Sequence, residues 1–377
     1  MTPPVKKKKV FAVIGAGNGG KTTALDLALQ GARVRLFEFE PWAKEALTGV
    51  HEAGDSLIGK KGVFIGCASL EKVTDKLEEA IGGADVIVCC LQSASIETAA
   101  RRLVDTGLLR KDHVVVLNPG STGGSLVCLR VFAHEEEIPL FVEFSTLTYG
   151  TRAEGAIVNS SVLVKRVLMG CLPASRRDEA AFLTDYFPGL ISAPNVLTAG
   201  LANANPVIHP SITILNSAVM ENEGSTRYFY KDGVSPMVAR LIKTIDEERL
   251  AILEAFGTPG MRDSENSKIQ GYSDQDDPED YYTAYAKGPG FAEFKNPDCT
   301  SLGDHRYYAE DVGRGLLLYC ALGKACDLPT PASAATVAFA SVITGHDYIK
   351  ENKDPLEHLG LKGMDKVRML DYVTHGL

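Results

Sequence analysis

The run Val10-Phe-Ala-Val-Ile14 passes directly into Gly15-Ala-Gly17-Asn18-Gly19-Gly20, and no other stretch of the chain restricts its possible folds so strongly. A short apolar run, glycines at G-x-G-x-x-G spacing and a helix-compatible stretch ending at Gly31 open a dinucleotide-binding βαβ unit. Each glycine has its own reason. Gly15 permits the tight turn, and Gly17 removes a Cβ from the path of a pyrophosphate. Gly20 lets the following helix pack close to the strand, while the helix N-terminus offers unpaired N–H groups and the positive end of its dipole to an anion.

Context strengthens the motif. A second β-type run, Val34-Arg-Leu-Phe-Glu38, follows after a helix-sized gap, and Glu38 lies eighteen residues past Gly20. An acidic side chain at that strand end can accept hydrogen bonds from both adenosine ribose hydroxyls, which favours NAD over NADP. Phe39-Glu40-Pro41 supplies no arginine for a 2′-phosphate, although Lys44 is close by. Strand-like runs then alternate with helical spacing: Ala84–Cys90, Asp112–Leu117, Pro139–Phe144 and Val162–Leu168, with helices over Ile96–Val104, Ser125–Ala133 and Asp178–Phe187. That alternation predicts a parallel, doubly wound sheet. In such sheets ligands lie beyond the carboxyl ends of the strands, so the loops opening at Gln92 and at Asn118 are expected to line the cofactor.

Beyond about Asn195 strand-type runs thin out, and long helical patterns cover Ser211–Glu221, Ser235–Phe256, Glu310–Ala325 and Ala332–Thr344. The expected fold is therefore α/β: an N-terminal doubly wound Rossmann domain followed by an all-α C-terminal domain. Residues 1–192 form the NAD-binding half and 193–377 the helical substrate and catalytic half. Residues 257–305 are rich in Asp, Ser, Gly and Tyr without clear periodicity, as expected of a functional or capping loop.

With 377 residues the chain can bury a large core. Its net charge of −9 argues against nucleic acid as a partner. The only basic run, Lys6–Lys9, has no apolar signal-peptide core after it, and no apolar stretch reaches membrane-spanning length. The eight cysteines include no C-x-x-C pair and show no metal-ligand spacing. Reduced thiols in a cytoplasmic protein, with no metal, are expected.

Two segments of the second half carry candidate chemistry. In Asn203-Ala-Asn205-Pro-Val-Ile-His209-Pro210 two prolines bracket the segment, which argues against a plain helix. Pro210 suits the first turn of the helix after it, placing His209 at or beside the N-cap. Taken alone, one histidine among eight is more often a satisfied structural residue. In His305-Arg306-Tyr-Tyr-Ala-Glu310-Asp311-Val-Gly313-Arg314 two acids precede a helical run and an arginine lies five residues before Asp311. These could be dipole partners and a surface ion pair, and composition does not choose.

The glycine loop, Asn205-Pro-x-x-His209-Pro and Arg306-Tyr-x-x-Glu-Asp311, in this order, resemble the NAD/octopine–nopaline dehydrogenase family, the opine dehydrogenases. The likeness runs from Val10 to the last helices. It implies His209 as general acid/base paired with Asp311, Arg306 as a clamp on a substrate carboxylate and Asn205 as a hydrogen-bond partner of the reacting substrate. Arg152, in Thr148-Tyr149-Gly-Thr-Arg152, falls where the family has an aromatic and an arginine near the cleft, though without the expected small-residue-plus-Cys pattern. Gly313 stands where relatives often carry proline. The implied activity is NADH-dependent condensation of an α-keto acid such as pyruvate with the amino group of an L-amino acid, by a monomer or homodimer. Two alternatives stay open: a simple keto-acid or 2-hydroxy-acid reductase of the ketopantoate reductase or glycerol-3-phosphate dehydrogenase type, and a non-catalytic nucleotide-binding regulator.

Overall fold

The computed structural model describes residues 9–297, 302–352 and 354–376. Lys6–Lys8 of the basic lead-in and Cys299 lie outside them. The chain divides into two compact units, one running to Val196 and taking back the chain from Thr374, the other Leu197–Val373.

The first unit is built on an eight-stranded sheet. Strands β1 (Val10–Ile14) and β2 (Arg33–Phe37) flank helix α1 (Asn18–Leu29) in sequence, and α2 (Ala43–Glu52) follows. Next come β3 (Ser56–Gly62), β4 (Gly66–Ser69), β5 (Lys72–Thr74), α3 (Leu77–Ile81), β6 (Val86–Cys89), α4 (Ser93–Asp105), β7 (Val114–Leu117), α5 (Gly124–Val131) and β8 (Leu140–Phe144). The unit ends with β9 (Tyr149–Glu154), β10 (Ile157–Leu163), β11 (Val167–Leu172), a 3₁₀ run over Ala174–Asp185 and β12 (Leu190–Ser192). The main sheet has the order β12-β11-β8-β7-β6-β1-β2-β5. All five residues of β1 are buried, as parallel strands covered on both faces require. Burying a side chain such as Phe11 contributes about 2–3 kcal/mol.

Two features depart from the sequence expectation. The main sheet is parallel except where β8 meets β11, which runs antiparallel; the expected strand Val162–Leu168 straddles the break between β10 and β11. A second, four-stranded sheet of order β4-β3-β10-β9 also forms. It lies over α1 and buries its polar residues. Thr22 Oγ1 meets Thr151 Oγ1 at 2.7 Å, Tyr149 donates to Asp26 at 2.7 Å, and Lys21 Nζ donates to the Gly155 carbonyl at 2.8 Å. Asp178–Phe187, expected as an α-helix, falls on the 3₁₀ run, which ends at Asp185.

The second unit is helical. It comprises α6 (Val196–Leu201), α7 (Asn205–Leu215), α8 (Ser217–Glu223), α9 (Phe229–Gly233), α10 (Pro236–Ala255), α11 (Asp263–Gln270), α12 (Tyr281–Ala286) and α13 (Arg306–Ala309). A π-helical turn over Asp311–Leu316 leads into α14 (Leu317–Ala325), and α15 (Pro331–Thr344) follows. The segment after α10 is held by a buried polar core. Arg249 bonds Asp246 at 2.7 Å and the carbonyls of Leu201 and Met261 at 2.9 and 2.7 Å. Asp246 also accepts from the Asp263 amide at 2.9 Å and the Tyr281 hydroxyl at 2.5 Å. Short helices, not one long loop, therefore occupy much of 257–305.

Candidate active site

In the first unit the chain adds β2 and β5 on one side of β1, then crosses to add β6, β7 and β8 on the other. The switch point lies between β1 and β6, and the loops after both strands meet there. Gly15 has φ +98°, and a Cβ on it would sit 2.6 Å from the Cys90 carbonyl oxygen. A Cβ on Gly20 would sit 1.6 Å from the Gly15 carbonyl oxygen, so only glycine lets α1 start this close to its strand. A Cβ on Gly17 would meet nothing within 4 Å, and no side chain caps α1. Open space before a free helix N-terminus fits a pyrophosphate.

Neighbouring groups hold the loop in shape. Asn18 Oδ1 accepts from the Ala153 amide at 2.7 Å, and Gly19 packs toward Leu147. Glu38, at the end of β2, accepts from the Ala16 amide at 2.7 Å and its neighbour Phe39 at 2.9 Å. Residues Gly15 to Thr22 also satisfy the spacing G-x-x-x-x-G-K-T of a phosphate-binding P-loop. The structure excludes that use, because Lys21 is buried and committed to the Gly155 carbonyl, and burial lowers the pKa of its ammonium.

Gln92 is exposed immediately before α4 at the carboxyl end of β6. Asn118 is fully buried; it donates to Thr148 Oγ1 at 3.0 Å and accepts from the Thr148 amide at 3.2 Å, so its side chain is committed within the fold. The loop it opens is held by Glu143, which accepts from the Gly123 amide at 2.8 Å, the Ser125 amide at 3.1 Å and the Ser125 hydroxyl at 2.5 Å. Burial pushes this carboxyl up to about 7, against the pull of those donors. Arg152 is exposed on β9, its guanidinium on the Thr151 carbonyl at 3.0 Å.

The second unit gathers Asn205, His209, Arg306 and Asp311. Helix α7 begins at Asn205, with Pro206 in its first turn and Pro210 inside it, which corrects the expectation that the helix starts at Pro210. Pro210 costs the helix one backbone bond, and packing against α10, α15 and the π-turn outweighs that loss. His209 therefore sits one turn into the helix, four residues from Asn205 and on the same face. Across from it, the π-turn presents Asp311. His209 Nδ1 lies 2.8 Å from Asp311 Oδ2, with the two residues 6% and 1% exposed. Burial pushes the Asp311 carboxyl up, and the facing imidazole pulls it back. An irregular turn of this kind re-aims a side chain that a regular helix over Glu310–Ala325, as expected from sequence, would place elsewhere.

Arg306 opens α13 with a half-exposed side chain, its Nε 3.5 Å from Glu310 Oε2. A loosely paired, solvent-reaching guanidinium can grip an incoming carboxylate through two parallel hydrogen bonds. His305 caps α13 by accepting from the Tyr307 amide at 3.3 Å. Burial, with Arg306 and His209 beside it, lowers its pKa to about 4, so it is neutral near pH 7. Sequence reasoning missed the aromatic wall. The Tyr307 ring lies 4.1 Å from the imidazole, Phe229 lies 5.6 Å away, and the Tyr230 hydroxyl is 3.2 Å from Nε2. The run Tyr228-Phe-Tyr230 was the available signal, but nothing in its spacing tied it to His209. Among the described residues no group of three or more His, Cys, Asp or Glu could hold a metal ion.

Residues 192–344 match the family model described as NAD/NADP octopine/nopaline dehydrogenase, alpha-helical domain. An opine dehydrogenase of Arthrobacter sp. (strain 1C) is 29% identical over 363 residues, 95% of this chain and 97% of that protein. A solved octopine dehydrogenase in complex with NADH and agmatine superposes with a TM-score of 0.77 at 18% identity, covering 98% of both chains. An NADP+-bound yersinopine dehydrogenase does so with 0.73 at 16%, again over 98% of both.

Proposed function

From the match of residues 192–344 to the octopine/nopaline dehydrogenase helical domain and the likeness of the whole chain to an opine dehydrogenase, we propose that it joins an α-keto acid to the amino group of an L-amino acid and reduces the product with NADH. The observation that carries this reading is the buried His209–Asp311 pair, with Asn205 on the same helix face and Arg306 on the adjoining helix. The amine attacks the keto carbon, the carbonyl oxygen leaves as water, and the C=N bond accepts a hydride to give a secondary amine. NADH, when bound, supplies that hydride, and Gly15, Gly17, Asn18, Gly19 and Gly20 would hold its pyrophosphate.

His209 takes the proton that the ammonium substrate must shed and returns one to the leaving oxygen. Asp311 fixes the ring and stabilises the imidazolium formed between those steps. Arg306 holds a substrate carboxylate, the local positive charge an anion needs on a chain of net charge −9. Asn205 offers a hydrogen bond to the reacting substrate, and Arg152 is a further candidate for its carboxylate. Glu38, with Gln92 and Asn118, belongs to the cofactor side, and the carboxylate at β2 favours NAD over a 2′-phosphorylated cofactor. In this reading the first unit is the nicotinamide domain and the second the catalytic domain. A cytoplasmic setting goes with this reading, since the seven described cysteines are free thiols, and no described helix is long and apolar enough to cross a membrane.

His209→Asn tests the assignment. It should leave NADH affinity, measured by fluorescence, within about twofold while lowering kcat by roughly 10²–10⁴. Unchanged kcat removes His209 from the chemistry.

A further inference from the structure

Both ring nitrogens of His209 are engaged. Nδ1 faces Asp311 Oδ2 at 2.8 Å and Nε2 faces the Tyr230 hydroxyl at 3.2 Å, with the imidazole side chain only 8% exposed. An ionised carboxylate only accepts, so the proton on this edge belongs to Nδ1. In the neutral ring Nε2 is then an acceptor, and Tyr230 is its donor. The tyrosine ring is fixed for that task, with Phe229, Phe291 and Phe294 at 5.0, 4.4 and 5.8 Å between ring centres. Its hydroxyl has no other hydrogen-bond partner among the described residues.

That isolation gives the contact a direction. If His209 became an imidazolium, Nε2–H would donate to the tyrosine oxygen and the hydroxyl hydrogen would be stranded among aromatic rings, a cost that burial does not refund. Tyr230 thus favours the neutral imidazole, while Asp311 favours the charged one. Other titratable groups also face α7: the Tyr307 ring lies on the imidazole with 4.1 Å between ring centres, Arg314 on the π-turn meets His358 Nε2 at 2.9 Å, and Lys231 and Asp232 on α9 are exposed. Asp246, Glu248 and Arg249 on α10 are bonded elsewhere. Glu310 pairs with Arg306, His305 is neutral, and α15 carries no titratable residue.

We propose that Tyr230 is a positioning residue that keeps His209 at rest as a neutral base, with its proton on Nδ1 and the Nε2 lone pair held for the substrate. At 3.2 Å the contact is long for an O–H donor, and an arriving ammonium takes the place of the hydroxyl at Nε2. The inference rests on the reading of His209 as the proton-transfer group.

Tyr230→Phe keeps the ring and deletes the oxygen. With Asp311 unopposed, the acidic limb of the kcat/KM profile for the amino substrate should move to higher pH, a roughly three- to tenfold loss on that limb. Activity on the alkaline plateau should stay within about twofold, with KM for NADH unchanged. A uniform loss at every pH, or no change, overturns the proposal. Nitrogen-15 NMR of the histidine rings in the substrate-free wild-type protein near neutral pH decides it independently of the variant's folding. A pyridine-like Nε2 signal for His209, assigned with His209→Asn, is expected. A proton on Nε2 overturns the proposal even if no keto-acid and amine pair is turned over, an outcome that would instead sink the functional reading.

Discussion

His209 and Glu38 illustrate how a single residue's role depends on what lies opposite it. His209 is one histidine of eight, and its sequence neighbours say only that prolines flank it. The carboxylate 2.8 Å from Nδ1 comes from a residue 102 positions away, so no local pattern could announce the pair. Family resemblance to Asn205-Pro-x-x-His209 and Arg306-Tyr-x-x-Glu-Asp311 supplied it instead. Tyr230 had no such herald. Glu38 was legible, because an acid at the second strand end of a glycine-loop unit has one common use, yet its bond to the Ala16 amide was not. Glu38→Arg removes that acceptor and places a cation where a 2′-phosphate would lie. NADH affinity should fall, and NADPH should gain relative to it. Indifference of both affinities, measured by fluorescence titration, would move the ribose contact elsewhere.

Among the elements, β1, β6, β7, β8, α4 and α5 lie within a few residues of where hydrophobic runs and periodicity put them. Fully buried parallel strands leave a strong apolar signal. The second sheet left none, since Ser56–Gly62 and Tyr149–Glu154 mix Gly, Lys, Thr and Arg and bury polar partners of α1. Helix α7 was hidden by its own prolines, and the π-turn at Asp311 by the ordinary helical spacing around it. The loop after β7 offers a test at this scale. Glu143, on β8, holds that loop and has its carboxyl raised from an ordinary 4.5 to about 7 by burial. The folded state therefore holds this proton more tightly than the unfolded chain. Its contribution to stability is full below about pH 4.5 and is lost as pH rises through about 7, a change on the order of 3 kcal/mol. Glu143→Gln cannot titrate. In thermal melts the wild-type advantage over this variant should be largest near pH 5 and shrink by pH 8; a difference constant across pH contradicts the assignment.

For the whole molecule, an α/β first unit and a helical second unit follow from where strand-type runs stop, near Asn195. The antiparallel join of β8 to β11 is invisible to that argument, because a strand's direction depends on the path of the chain between strands. The likeness to an opine dehydrogenase over 95% of the chain goes with an NAD(P)-dependent oxidoreductase, and the chemistry proposed for the molecule uses an amine as well as a keto acid. The most direct measurement is NADH oxidation with pyruvate, with and without a panel of L-amino acids near neutral pH. Oxidation that appears only when an amino acid is present, with a secondary amine as product, is the predicted result. Equal oxidation with the keto acid alone, yielding a 2-hydroxy acid, would contradict the account.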